Sequence, residues 1–343
     1  SAFYAERGIE VVTGETVTSF DVDAHQARLA GGETIGFEAV VLATGAEPRR
    51  LDLPGATLSG VHYLRTIEDA ALLATAIRAA RRVAVIGAGW IGSEVAASAR
   101  QMGVEVVLIE PAPVPLHRIF GTEIGGMFRQ LHADHGVALR HGVGVVELQG
   151  DGTVEKIVLT DGRVELADVV VVGIGAVPRL ELAQAAGLRI NAGVVVDEYL
   201  RASAPGVYAA GDIAEAWHPR YHRHIRVEHW ANALNQGAAA GVNAAGHSEP
   251  YTRLPYFYSV QYDLGLEYVG YAEPDDQLVI RGDVPSREFI AFYHRDGTVT
   301  AAMAVNVWDV IDDLKSIVSS TRPADVLRLA DPNVPLGEIA APA

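Results

Sequence analysis

The alternation of apolar and polar residues along the chain switches repeatedly between period two and period 3.6, with glycine-rich turns at the changes. This is the pattern of strands alternating with helices in doubly wound α/β layers. IEVVTGETVTSFD (9–21) alternates as a strand and leads through a GG turn into FEAVVLATGAEP. TIEDAALLATAIRAA has helical spacing, with Thr66 placed as its N-cap. RVAVIGAGWIGSEVAASARQMGVEVVLIE (82–110) is a complete strand–turn–helix–strand unit. A helix over about 122–135 and a strand-rich stretch to 165 lead into VVVVGIGAVP, whose β-branched run is too short to span a bilayer and fits a buried parallel strand. From 194 the spacing predicts strand, turn, strand and, after Gly211-Asp212, a helix; residues 228–246 form a small-residue helix ended by Gly246. LVIRGD, EFIAFYH and TVTAAMAVN are strands before a helix in WDVIDDLKSIVSS, so a separate α+β domain follows about residue 250.

Composition narrows the chemistry. With 343 residues and 49% hydrophobic content the chain can bury several cores. No apolar run reaches the roughly 18 residues of a membrane span, and the start has no secretory signal pattern, so the expectation is a cytoplasmic protein. Cysteine is absent, which removes disulfides, thiolate metal sites and a CxxC redox pair from this chain. Electron transfer would therefore need a bound organic cofactor. A formal charge of −16 opposes general nucleic-acid binding. Histidines 218, 222 and 224 show no ligand spacing, and no metal is expected.

The strongest local signal is GAGWIG (87–92), directly after a strand and opening a helix. Gly87 permits the tight turn, Gly89 a close backbone approach to a pyrophosphate, and Gly92 tight helix–strand packing, while the helix N-terminus attracts the phosphates. Glu110 ends the second strand about 20 residues on, where a carboxylate accepts from an adenosine ribose and repels a 2′-phosphate. That favours NAD(H), although Arg118 nearby would suit a phosphate instead. Three separated pieces suit a second nucleotide: ATG (43–45), VYAAGDIAEA (207–216) and RVEHWANALNQG (226–237). Asp212 fits either an N-cap or a partner for sugar hydroxyls, and Trp230 either core packing or a ring edge at that site.

Read in order, LATGAEPR, LRTIEDA, GAGWIGSEVA, LIEPAPVPLHR, VVVGIGAVP, VYAAGD, EHWANA and PYFYSVQYD resemble the bacterial FAD-dependent ferredoxin reductases. The resemblance implies two Rossmann-like dinucleotide-binding domains, the FAD domain interrupted by the NAD domain, plus a C-terminal α+β domain. The expected boundaries are 1–58 and 177–249 for FAD, 59–176 for NAD and 250–343 for the last domain. By position, it places flavin contacts on Val17, Thr44, Gly45, Arg49, Asp212 and Trp230. It places NAD contacts on Gly87, Gly89, Ile91, Gly92, Glu94, Glu110, Arg118 and Gly175, with Glu94 toward the nicotinamide as the catalytic candidate; a favourable charge at a helix N-terminus is the alternative reading of Glu94. It implies electron flow from NADH through FAD to a 2Fe–2S ferredoxin of an oxygenase system. The segment 218–230 is unusually basic for so acidic a chain, and Arg220, Arg223 and Arg226 read as a docking surface for an acidic ferredoxin, with a solvated loop as the plain alternative. A rubredoxin reductase, an apoptosis-inducing-factor-like protein or a flavin-free NAD-binding module are the competing readings. The family's FWSDQ segment reads FYSVQ here, with Tyr258 and Val260 in place of Trp and Asp. The first residues match a point inside the family's FAD domain, so the chain is expected to lack that domain's opening strand, pyrophosphate loop and a lysine near the flavin, and a form that holds FAD weakly is the alternative.

Overall fold

The computed structural model describes residues 2–340; Ser1 and residues 341–343, the outer ends of the first and last expected domains, lie outside them. The chain divides into two compact units, 1–46 with 178–253, and 47–177 with 254–343.

In the first unit, Val17–Asp21, Gln26–Leu29 and Thr34–Gly36 form an antiparallel meander. Val40–Leu42 pairs in parallel with Val207–Ala209. Val194–Val196 runs parallel to Ala214–His218, which turns back antiparallel into Arg223–Arg226. Val194, Val196, Val207, Ala209 and Ile213 sit at the centre of this unit's core. The long helix is Trp230–Ala244, close to the sequence expectation.

Three readings change here. Residues 9–16 form no strand; Ile9, Val11 and Val12 stay exposed, because their alternation finds no ladder among the described residues. Gly211–Ile213 is a single 3-10 turn followed by the strand Ala214–His218, not by a helix. Glu215, buried there, accepts from Asn191 Nδ2 at 2.8 Å and Gly193 N–H at 3.1 Å, so strand pairing wins over helical spacing. Asp212 therefore lies inside the turn and is not an N-cap. The basic segment 218–230 starts at the end of one strand of a β-hairpin, runs through its turn at 219–222 and the return strand Arg223–Arg226, and continues through 227–229 to the helix start, so only part of it is a loop.

The second unit holds a five-stranded parallel sheet in the order Val61–His62, Val169–Val172, Arg82–Ile86, Glu105–Glu110, Ala138–His141. All four residues of Val169–Val172 are buried, as a strand covered on both faces requires. Helix Ile67–Ala79 starts at Thr66 with a complete capping box, Asp69 answering Thr66. Helix His117–Asp134 begins earlier than its periodicity suggests and is broken at Gly121, where φ is +72°. Residues 145–166 form a three-stranded antiparallel sheet. Strands Tyr256–Gln261, Leu264–Gly270, Thr298–Val305, Glu288–Arg295 and Gln277–Asp283 build an antiparallel sheet in that order. One face packs on Phe120, Ile124 and Phe128 of helix His117–Asp134, and the other on Leu314, Ile317 and Val318 of helix Ile311–Ser319.

Candidate nucleotide-binding sites

The glycine turn of the second unit is built by close packing. Gly87 has φ +96°, and a Cβ there would lie 2.5 Å from the Gly173 carbonyl. A Cβ on Gly92 would lie 1.9 Å from the Gly87 carbonyl oxygen. Both glycines are thus dictated by the protein's own backbone. Gly89 is different: its φ is −75°, open to any residue, and a Cβ there meets nothing within 4 Å. No internal contact explains this glycine, whereas an external group seated against the backbone does. Helix Trp90–Gln101 starts at Gly89 with no side chain capping it, leaving its first N–H groups and partial positive charge toward the same space. The turn fits a pyrophosphate.

Glu110, at the strand's end, is committed more deeply than its spacing reveals. Its Oε2 accepts from the Ala88 N–H at 2.7 Å and its Oε1 from the Ala112 N–H at 2.9 Å. The carboxylate therefore braces the glycine turn, and its remaining lone pairs stay available for hydroxyls. His141 lies opposite Glu110 in the parallel register; burial lowers its pKa, with Arg129 acting the same way and Glu110 opposing. Nothing in the local sequence singles out His141. The Leu116 N–H donates to the Ala88 carbonyl at 2.9 Å, tying the start of the helix that carries exposed Arg118 to the turn. Gly175, with φ +102°, is exposed, and its carbonyl accepts from the Arg49 N–H at 2.9 Å. Ile91 is exposed beside the turn.

Glu94 sits in the second turn of the helix, half-buried, with Oε1 accepting from the Ser259 hydroxyl at 2.6 Å. Burial pushes its pKa up, and the Ser259 bond pulls it back. Ser259 lies in the FYSVQ segment, where the sequence gives it no role of its own. The strand Tyr256–Gln261 inverts the usual alternation: Ser259 and Gln261 are buried, while Tyr258 and Val260 are each 62% exposed. Tyr258, Val260 and Trp308 border a surface hollow of about 290 Å3.

In the first unit, the Thr44 hydroxyl donates to the Arg179 carbonyl at 2.7 Å, and Gly45 takes φ +68°. Gly211, φ +76°, donates its N–H to Gln236 Oε1 at 2.9 Å, which joins the 3-10 turn carrying Asp212 to the long helix. That helix starts at His229 with no side-chain cap. His229 is held near 4 by burial, with Asp212 opposing. Trp230 is 75% exposed, so it is not core packing. An exposed indole on an uncapped helix start, beside Asp212 and His229, suits a planar ring with an acceptor edge. Val17 is exposed on its strand. Arg49 falls in the second unit, and the other five residues of the expected flavin set fall in the first.

The basic hairpin is less open than its sequence suggests. Arg226 donates from Nη1 to the Asp212 carbonyl at 3.1 Å and pairs with Glu228, with its side chain 21% exposed. It is a structural tie to the Asp212 turn. Arg223 is exposed and Arg220 half-buried.

Residues 3–237 match the family model described as pyridine nucleotide-disulphide oxidoreductase, and residues 256–340 match a reductase C-terminal model. The chain is 37% identical to the ferredoxin–NAD(+) reductase component of the anthranilate 1,2-dioxygenase system of Burkholderia cepacia, over 98% of this chain and 83% of that one. It is 34% identical to putidaredoxin reductase of Pseudomonas putida, over 99% and 82%. Among solved structures, the ferredoxin reductase for the CYP199A2 system of Rhodopseudomonas palustris superposes with a TM-score of 0.95 at 36% identity, over 99% of this chain and 84% of that one.

Proposed function

The chain belongs to the pyridine nucleotide-disulphide oxidoreductase family, and from that membership we infer a flavin-dependent reductase that passes electrons from NADH through FAD to a 2Fe–2S ferredoxin of an oxygenase system. One observation carries the reading: the likeness to ferredoxin–NAD(+) reductase components runs through nearly the whole chain and includes both family models. The open backbone at Gly89 supports it locally.

When bound, the nicotinamide supplies a hydride, and the flavin accepts it and releases electrons one at a time. The chain's own work is positioning and charge control. In our proposal Gly87, Gly89, Ile91 and Gly92 hold the NAD pyrophosphate, Glu110 the adenosine ribose, and Arg118 and Gly175 flank the coenzyme. Glu110 favours NADH over NADPH by repelling a 2′-phosphate. Glu94 orients the nicotinamide carboxamide. Thr44, Gly45, Asp212, Trp230, Val17 and Arg49 are assigned to FAD, with the helix starting at Trp230 stabilising negative charge at the ring's edge. The division into FAD segments 1–58 and 177–249, an NAD segment 59–176 and a C-terminal segment 250–343 belongs to the same proposal. Among the described residues no helix is long and apolar enough to cross a membrane; we place the protein in the cytoplasm, where NADH is available.

For ferredoxin we retain Arg220 and Arg223 as the docking charges and assign Arg226 to holding the Asp212 turn. Charge reversal at both (Arg220→Glu with Arg223→Glu) is expected to slow NADH-driven reduction of a 2Fe–2S ferredoxin about tenfold or more at low salt and to leave reduction of a small dye unchanged. Equal loss with both acceptors would remove the docking role.

A further inference from the structure

We propose that Tyr262, His132, Gln261 and Ser259 form a single one-way hydrogen-bond chain ending on Glu94, and that Ser259 is the positioning residue which holds that carboxylate ionised and fixed. The inference rests on the placement of Glu94 at the coenzyme site.

The geometry begins with two rungs between helix Trp90–Gln101 and strand Tyr256–Gln261. Trp90 and Glu94 are four apart and share a helix face; Phe257 and Ser259 are two apart and share a strand face. The Trp90 and Phe257 rings meet edge to face at 4.9 Å, and the Glu94 and Ser259 side chains meet at 2.6 Å. The next residue on that face is Gln261, only 1% exposed, whose Nε2 donates to the Ser259 hydroxyl oxygen at 3.4 Å. A polar pair on the buried face, with Tyr258 and Val260 turned outward, is the reverse of what burial alone selects.

The direction follows from counting protons. The Ser259 hydroxyl has one proton, which goes to Glu94, so its oxygen must accept from Gln261. That fixes the Gln261 amide with Oε1 toward His132, the fully buried histidine with which it interacts. Gln261 Oε1 and His132 Nε2 are the two buried atoms of this group with no partner at strict hydrogen-bond geometry, and they answer each other as acceptor and donor. His132 Nδ1 lies 3.2 Å from the Tyr262 hydroxyl. Burial keeps that phenol protonated, near 12, and keeps His132 neutral, near 4, so Tyr262 donates to Nδ1 and the imidazole proton sits on Nε2. Every link then donates toward Glu94. A protonated Glu94 could still accept at Oε1 with its proton on Oε2, but the carboxylate is the stronger acceptor, so a chain that donates toward Glu94 favours the ionised form. The arrangement matches an ionised Glu94 and opposes the effect of burial on it.

The charged and titratable groups facing the chain are His135, stacked on Tyr262 at 3.7 Å, Arg100 near the Tyr262 hydroxyl, His141 near His132, and Asp263, 3.9 Å from His135. They flank the Tyr262 end, whereas Glu94 lies at the other.

The test is a pH titration of the Glu94 carboxyl carbon by NMR in glutamate-labelled protein without coenzyme, the signal assigned with Glu94→Gln. Ser259→Ala is expected to raise the midpoint by about one pH unit or more, and Ser259→Thr to restore it. His132→Leu, which leaves the Ser259–Glu94 pair in place, is expected to raise it by a smaller amount. An unshifted midpoint in Ser259→Ala overturns the proposal; should that variant fail to fold, an unshifted midpoint in His132→Leu does so. A Glu94→Gln protein that reduces its flavin with NADH at the wild-type rate would remove the coenzyme role of Glu94 instead, whatever the titration shows.

Discussion

Two helices in this protein open on a tryptophan with no side chain capping them, and the two tryptophans meet opposite fates. Trp90 follows the glycine turn and is walled in by Phe120, Phe128 and Phe257, all in edge contact. Trp230 follows His229 and leaves three-quarters of its surface open. At the first helix start the backbone is offered to a ligand and the side chain is spent on holding the turn rigid. At the second, backbone and indole are both presented outward. In the proposed function the same local feature serves as a phosphate cradle in one case and a platform for a ring in the other. What separates them is the packing around the side chain, not the helix end itself.

The sharpest break of the comparison lies within the glycine turn. Gly92→Ala must force its Cβ against the Gly87 carbonyl, so we expect a loss of more than about 4 kcal/mol of stability or failure to fold, read by chemical denaturation. Gly89→Ala meets no protein atom; its stability should stay within about 0.5 kcal/mol while NADH affinity falls roughly tenfold. Equal stability losses at 89 and 92 would contradict the cradle.

Next in size is an acid sensitivity centred on His132. Its folded pKa, about 4, lies below its ordinary value, so the unfolded chain takes up the proton first. Stability from this group is complete above about pH 6.5 and is lost as pH falls toward 4, by about 3 kcal/mol at most. His132→Leu should flatten that slope between pH 4 and 6.5. An unchanged slope would mean that other groups govern acid unfolding.

The smallest effects separate the two rings. Trp90→Ala should cost about 2–3 kcal/mol, because it empties a half-buried aromatic cluster. Trp230→Ala should change stability by less than about 0.5 kcal/mol while altering the absorbance of bound flavin. Similar destabilisation by both would erase the distinction.

The parts legible in the sequence were those with a backbone signature. GAGWIG announced itself as strand, positive-φ glycine and helix, and the N-cap at Thr66 had its own local pattern, although its Asp69 half did not. Glu110 was findable by spacing, but its bonds to Ala88 and Ala112 depend on a carboxylate folding back on a turn 22 residues earlier. Ser259 and Gln261 stand at matched positions of the FWSDQ segment but carry no role there, and His132 has no local signal at all. Ordinary alternation puts Val260 inside and its polar neighbours outside, and only the tertiary contact with Glu94 reverses that phase. The strand after Asp212 was missed for a related reason: Glu215 reads as a helix-favouring residue until Asn191 and Gly193 claim its carboxylate. Arg226 looked like one of three equivalent surface charges until its bonds to Asp212 and Glu228 set it apart.

In the proposed function the coenzyme and the flavin are served by one chain. Anaerobic rapid mixing of the FAD-loaded, full-length protein with NADH, followed by flavin absorbance, reads this directly. Prompt bleaching is expected, reversing when oxidised 2Fe–2S ferredoxin is added and slowing at least tenfold in Gly89→Ala at subsaturating NADH. Flavin that stays oxidised under excess NADH would contradict that function.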